Sequence, residues 1–407
     1  MIKILHTADV HLDSPLKSLA LRDEELRSRV QTATRAAFSR IVDTALAEEA
    51  AALLIAGDLF DGAERSARTA AFLTAELDRL RARGIRVFYI KGNHDAENPI
   101  SGELEMPDNV HVFDGRGGKA QLADDIWIHG VSFAGRQAMD SLLPKYPAPV
   151  AGAVNIGMLH TSLSGARGHD PYAPCSVSDL KAQGYDYWAL GHVHRRQVHS
   201  ESPWIVMPGT PQGRHIGEAG PKSASLVTIG QQIEVEEVPT SIIEFIQLEL
   251  PVAADGDDEL RDLIRASLHQ LGDRMTSDFG ILRLVLTGDA PRRWQILRDR
   301  DFWSETATRI ARETDRLWLE KLVIDFSEGT TAGQGASDEL AQIMATIRQE
   351  PGFTQLCREN LEELLEELSP QQRRLLVPDE SSVATLAERL AAAGAERVLA
   401  RMKGSGA

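Results

Sequence analysis

Ile2-Lys3-Ile4-Leu5-His6-Thr7-Ala8-Asp9-Val10-His11 opens the chain with an apolar run that ends on a carboxylate and an imidazole. Such a run reads as a buried strand, since near-continuous apolar residues suit a sheet covered on both faces. The arrangement recurs. Ala51 to Ala56 leads into Gly57-Asp58-Leu59-Phe60-Asp61, and Ile85 to Ile90 into Gly92-Asn93-His94-Asp95. Val154 to Leu159 leads into His160-Thr161, and a fifth string, Gly191-His192-Val193-His194, follows Trp188-Ala189-Leu190. Ligands at strand ends converge on one edge of a sheet, where α/β proteins place their sites.

The five strings supply carboxylate, imidazole and amide oxygen, the donors of a two-metal site. Two divalent ions close together need a bridging ligand. A carboxylate serves best, because its oxygens also screen the ions' mutual repulsion. Asp58 is the expected bridge. Asp9, His11 and His194 are expected to complete one shell, and Asn93, His160 and His192 the other. A shell mixing N and O donors suits Mn²⁺, Fe²⁺ or Zn²⁺ better than Mg²⁺, which prefers oxygens and keeps its waters. Asp-x-His alone is common and a lone histidine is usually core or surface. Five strings in this order are not explained that way.

Bulk properties set outer limits. With 407 residues the chain has room for two or three domains; 43% hydrophobic and 26% charged residues are ordinary for a soluble globular protein. The first strand begins at Ile2, so no signal peptide is expected, and no apolar run nears the ~20 residues of a membrane helix. Cys175 and Cys357 are the only cysteines, which argues against a disulfide framework and for a reducing cytoplasm. A net charge of −16 is not that of an autonomous nucleic-acid binder.

Residues 1–240 alternate strand-like runs with helical patterns at 28–49 and 65–83, which predicts an α/β sheet between layers. After His194 the runs shorten: 204–207, 225–229 and 232–238 predict a second, more antiparallel sheet. A smaller α/β domain is expected over 241–328, with strands at 245–250, 281–286 and 317–326 and helices at 258–271 and 302–313. Gly329 to Gly335 reads as a flexible linker. The tail, 337–407, is helical and acidic, with one helix ended by Pro351-Gly352 and a stripe of Leu361, Leu364, Leu365 and Leu368 in the next. Either the stripe packs on a core or the tail docks a partner. The glycine-rich linker favours docking, and with it the expectation that the catalytic domains fold without the tail.

The five strings resemble the calcineurin-like metallophosphoesterases, whose fold is a β-sandwich flanked by helices. Within them, Ile4 to Leu12, Gly57 to Asp61 and Pro208-Gly209-Thr210-Pro211-Gln212-Gly213 are similar to the SbcD-type DNA-repair exonucleases and their archaeal and eukaryotic break-repair relatives. The likeness covers residues 1 to about 235 in motif detail and the rest in layout only. It implies the ligand set above, with His94 as the non-ligand that assists the leaving group and Asp95 orienting His94. Several relatives have His where this chain has Asp61, which is therefore open to bonding a ligand instead. His169 to Cys175 resembles a loop of a bacterial subgroup, and is read either as a substrate lip or as a proline-set turn.

The resemblance implies Mn²⁺-dependent hydrolysis of DNA by a two-metal mechanism, 3′-to-5′ and with some endonuclease capacity. It also implies an SMC-like coiled-coil ATPase docked on the tail, and dimerisation through helices of the catalytic domain. Arg195, Arg196, Arg214, His215 and Lys222 follow the last ligand pair and are candidates for phosphate contact, although scattered surface arginines would look the same. Two other classes remain: a small-molecule or cyclic-nucleotide phosphodiesterase on the same core, and a metal-free scaffold. The separate cap and long tail speak against the first, the complete ligand set against the second.

Overall fold

The computed structural model describes residues 1–14, 24–61, 66–97, 105–135, 138–163, 172–253, 256–288, 292–326, 336–369, 372–373, 376–377 and 379–404. Two six-stranded sheets dominate. In the first, β1 (Ile2–Thr7), β2 (Ala52–Ala56), β3 (Arg86–Ile90) and β4 (Val110–Val112) run parallel, side by side. The crossovers hold α1 (Glu24–Ala47) and α2 (Ala67–Arg81), as parallel pairing requires. Ser66 caps α2 by accepting the Thr69 amide. The second sheet has β6 (Ile126–Gly130), β7 (Val154–His160), β8 (Tyr187–Gly191) and β10 (Trp204–Met207) in parallel. Its edges are β5 (Gly118–Ala123) and β9 (Gln197–Glu201).

Strand alternation builds the core on both sides of the first sheet. Ile4, Leu54, Phe88 and Ile90 face the second sheet and pack with Ile128, Ile156, Met158 and Tyr187. Their neighbours Leu5, Leu53, Ile55 and Val87 face outward onto Phe38 and Ile41 of α1 and Leu73 and Leu77 of α2. The outer face of the second sheet buries Leu159, Trp188 and Leu190 under Leu180 of α4 (Val177–Ala182). This is a β-sandwich flanked by helices. The short strands after His194 do not form a separate sheet. β9 and β10 extend the second sheet, while β11 (Ser223–Ile229) pairs antiparallel with β1 and carries β12 (Ile233–Pro239) into the first. Run length alone cannot say which edge a strand joins.

By contacts the chain divides into two compact units: Met1–Gln247, Gly272–Leu282 and Arg316–Glu320 in one, Leu248–Leu271, Arg283–Asp315 and Lys321–Ala407 in the other. A third sheet has the order β13 (Ile243–Pro251), β14 (Phe279–Gly288), β15 (Leu317–Phe326). The helices that follow β13 and β14 are α5 (Asp257–Arg274), and then α6 (Arg293–Arg298) and α7 (Arg300–Glu313). The expected linker at 329–335 lies outside the described residues.

The tail forms α8 (Ala336–Arg348), α9 (Pro351–Glu366) and α10 (Glu380–Lys403). Pro351 starts α9 rather than ending α8, because a missing N–H costs nothing in a first turn. Leu361 and Leu365 are buried with Val377, Val383 and Ala387, whereas Leu364 of the same stripe is exposed. α10 also lies along α6: Lys403 Nζ sits 4.8 Å over the Trp294 ring, and Arg298 donates to the Gly404 carbonyl. The tail helices thus share one unit with α6 and α7. Deleting 337–407 should therefore uncover Trp294 and Leu297, lower the melting temperature of this unit in calorimetry and raise binding of a hydrophobic dye. Unchanged melting of the remaining chain would show the tail packing to be dispensable.

Candidate metal centre

The ends of β1, β2, β3, β7 and β8 place all five strings at one edge. Asp9 and His11 follow β1, Asp58 follows β2, Asn93 and His94 open α3 (Asn93–Glu97) after β3, His160 ends β7, and His192 and His194 follow β8. The strand pairing continues into the loops, with Asp9 N donating to Gly57 O, His11 N to Asp58 O and Leu12 N to Leu59 O at 3.0–3.1 Å. Asp9, His11, Asp58 and His192 all hold positive φ, at 52°, 45°, 52° and 102°. For residues with a side chain this conformation is uncommon and costs of order 1–3 kcal/mol, and such strain clusters at functional sites.

Two glycines make the close approach possible. At Gly57 (φ 95°) a Cβ would run into the His160 ring, and at Gly191 it would run into the Ala56 carbonyl and come within 2.9 Å of His160 Nδ1. Any side chain at either place would push His160 off its position.

Asp58 stands at the centre. Its Oδ1 accepts the His94 amide at 2.9 Å, and its Oδ2 lies 3.4 Å from His160 Nε2 and 4.0 Å from His11 Nε2. On one side, His11 Nε2 is 3.2 Å from His194 Nε2, which is 3.8 Å from Asp9 Oδ1. On the other, Asn93 Oδ1 is 3.1 Å from His160 Nε2, and ligand atoms of Asp58, His160 and His192 lie within 4.8 Å of one another. Ligands about 2.1 Å from one ion sit about 3–3.5 Å apart, so this donor set fits two small divalent ions. The ring orientations agree. His160 Nδ1 donates to the Ala56 carbonyl at 2.9 Å, His194 Nδ1 meets Glu218 Oε1 at 2.6 Å and His11 Nδ1 faces Asp61 Oδ1 at 3.2 Å. Each outward nitrogen faces an oxygen, which leaves the Nε2 lone pair pointing inward.

Charge follows from this packing. Burial opposes the Asp58 charge, but His160 outweighs it and holds the carboxyl below its ordinary value. Burial likewise opposes an imidazolium at His160, yet Asp58 raises this group to about 9. His11 is lowered, chiefly by burial. Asp61, despite partial burial, is held down at about 2 by His11.

Some expectations change. The Asp95 carboxylate accepts the Phe60 amide at 2.9 Å and the Gly92 amide at 3.0 Å, so it ties the second string to the third. Burial and the neighbouring Asp58 raise it to about 6. Asp61 Oδ1 faces His94 Nδ1 at 3.9 Å, and ligand atoms of His11, Asp58 and His94 lie within 4.8 Å of one another. His94 is 38% exposed on the open side, its ring 4.9 Å from that of His11. Among the basic candidates, Arg214 is paired with Glu218 (3.2 Å) and Asp61 (3.7 Å), and Arg196 with Ser225 and Glu237. Lys222 is half-buried and donates to Ala219 O, while Arg195 and His215 are exposed. Glu218 was not anticipated, since nothing in its spacing sets it apart from the surface acids. Of the 169–175 loop, residues 169–171 lie outside the described residues; the Tyr172 ring is 5.0 Å from that of His192.

A carboxylate shared by two imidazole clusters at the edge of a sandwich fits a two-metal phosphoesterase centre. Residues 2–196 match the family described as calcineurin-like phosphoesterase, and the chain carries a calcineurin-like metallophosphoesterase domain. That family is hydrolytic and binds a dinuclear metal site. Residues 245–327 match the middle domain of metallophosphoesterase YhaO. The chain is 40% identical over 241 residues to the uncharacterized metallophosphoesterase YhaO of Bacillus subtilis (strain 168), covering 56% of this chain and 57% of that protein. It is 26% identical over 204 residues to the DNA double-strand break repair protein Mre11 of Sulfurisphaera tokodaii, covering 48% and 50%. Against Mre11 of Saccharolobus solfataricus it is 22% identical over 385 residues, covering 86% and 95%. The chain thus spans about half the length of the first two. Among the described residues, no helix is long and apolar enough to cross a membrane.

Because His160 is raised to about 9, it carries a proton at pH 7 that a cation must displace. Metal affinity should therefore rise with pH up to about 9. Calorimetric Mn²⁺ titrations at pH 7 in buffers of differing protonation enthalpy should give about one proton released from this residue. Release of none would remove His160 from the ligand set.

Proposed function

We propose that this chain is a Mn²⁺-dependent DNA phosphodiesterase of DNA repair, a 3′-to-5′ exonuclease with endonuclease capacity, working in the cytoplasm with an SMC-like coiled-coil ATPase. The observation that carries the reading is the single Asp58 oxygen facing imidazoles of both clusters, with half-exposed His94 beside it. The similarity to Mre11 proteins, named for DNA double-strand break repair, supports the choice of substrate. Ions held by Asp9, His11, Asp58 and His194 and by Asp58, Asn93, His160 and His192 would supply Lewis-acid stabilisation of charge on a phosphate. His94 is assigned protonation of the departing sugar oxygen, which its exposure allows. Asp61 and Asp95 hold the loops and rings around it.

In this reading residues 1–240 are the nuclease domain, 241–328 a cap and 337–407 the partner-docking part. Exposed Ile343, Ile347, Leu356, Leu364 and Leu390 support docking. So does the net charge of −16, which disfavours unaided grip on long duplex. Dimerisation through helices of the catalytic domain belongs to the same reading.

The purified chain should cut a labelled duplex with Mn²⁺, far less with Mg²⁺, and not with EDTA. An aryl phosphodiester cleaved while every DNA substrate stays intact would replace the nuclease reading by a small-molecule one. Asp58→Ala should lose at least one ion. His94→Ala should keep both ions and lose roughly 10²- to 10⁴-fold in rate. Metal analysis showing His94→Ala short of an ion would make His94 a ligand.

A further inference from the structure

The two clusters are braced from behind by different chemistry. His160 leans on a neutral peptide carbonyl, Ala56 O. His194 and His11 lean on carboxylates, Glu218 and Asp61, and the Arg214 guanidinium lies between those two acids. Glu218 Oε2 also accepts the Arg214 amide at 2.7 Å. Arg214 Nη2 comes within 3.0 Å of His194 Nδ1 as well. With the His194 proton on Nδ1, as metal binding through Nε2 requires, Glu218 Oε1, in reach of each nitrogen, holds them together. The loop is pinned to the ligands by Thr210, whose amide donates to His194 O at 3.1 Å and whose hydroxyl donates to Asp9 O at 2.8 Å.

We propose that Glu218, with Arg214 and Asp61, is a positioning device that makes the ion site of Asp9, His11 and His194 the tighter of the two. The inference rests on the metal-binding reading above and on no particular substrate. A carboxylate behind an imidazole fixes its ring and makes the opposite nitrogen a stronger donor than a peptide carbonyl does. The ligands add to the asymmetry, since Asp9 brings a charge to one side and Asn93 only a neutral oxygen to the other. Arg214 offsets part of the cost of burying two acids here: the Glu218 side chain is 9% exposed and that of Asp61 24%. The second ion, held by a neutral amide and by the peptide-braced ring of His160, is the exchangeable one.

The test uses metal-free full-length protein and Mn²⁺ alone, with calorimetry for affinity and electron paramagnetic resonance to separate single from exchange-coupled ions. Wild type should fill in two steps. Glu218→Gln should weaken the tight step by roughly 10- to 100-fold and leave the weak one unchanged. His194→Ala should abolish the tight step, while His160→Ala should retain it. Glu218→Gln binding both ions like wild type would overturn the proposal. So would loss of both ions together with a lowered melting temperature, the mark of a mere loop staple. Should Glu218→Gln fail to fold, Asp61→Asn tests the same brace through His11: one weakened step supports it and wild-type affinity overturns it. If wild type binds two ions in this order but leaves DNA intact, the nuclease reading falls and the brace stands.

Discussion

One buried carboxylate sets the terms for the rest of the structure. Asp58 Oδ2 faces His11 from the loop after β1 and His160 from the end of β7, so it joins the two sheets of the sandwich at their common edge. An unpaired carboxylate in such a place would be costly or would neutralise itself. Here it is kept ionised by drawing a proton onto His160. A cation can take the place of that proton, and the geometry already separates the ligands by the span an ion needs. Leu54 and Ile156, on two of the strands that lead to the site, are fully buried in the layer between the sheets.

The loops take the strain that the sheets do not. Positive φ at Asp9, His11, Asp58 and His192 turns three strand ends toward one point, and the backbone bonds between the first two loops keep them there. Asp95 adds a second tie, from α3 to Phe60 and Gly92. The catalytic task proposed for His94 falls to an imidazole that is 38% exposed.

Strands that end in ligands were legible because two demands coincide in them: full burial enforces an apolar run, and the chemistry enforces the residues that follow. β1, β2, β3 and β7 all obey both. β15 matched its expected bounds although it is only partly buried, through the apolar positions Leu317, Leu319 and Leu322 that it does bury. Which sheet β9 to β12 would join was not legible, since edge choice depends on pairing partners distant in sequence. The bonds that Asp95 makes to the Phe60 and Gly92 amides were not legible for a related reason. Adjacent to His94 in sequence, Asp95 points into the protein on a short helix while Asp61, on another loop, reaches the ring. Glu218 was invisible because a single acid in a turn carries no period and no flanking signal.

The acidic surplus is then best read as a property of the parts rather than of the whole. At the centre, Asp9, Asp58, Asp61 and Glu218 answer to His11, His160, His194 and Arg214, so their charge is locally opposed or available to cations. Elsewhere it stands in solvent, as with the first turn of α5, Asp257, Asp258 and Glu259. A field of this sign repels a polyanion at a distance but is screened within about 8–10 Å at ordinary salt. Beyond that distance the surplus sets little, and at contact the local groups of the centre decide. In the proposed reading, net charge therefore limits how long the chain holds a duplex and leaves the cutting step to the centre.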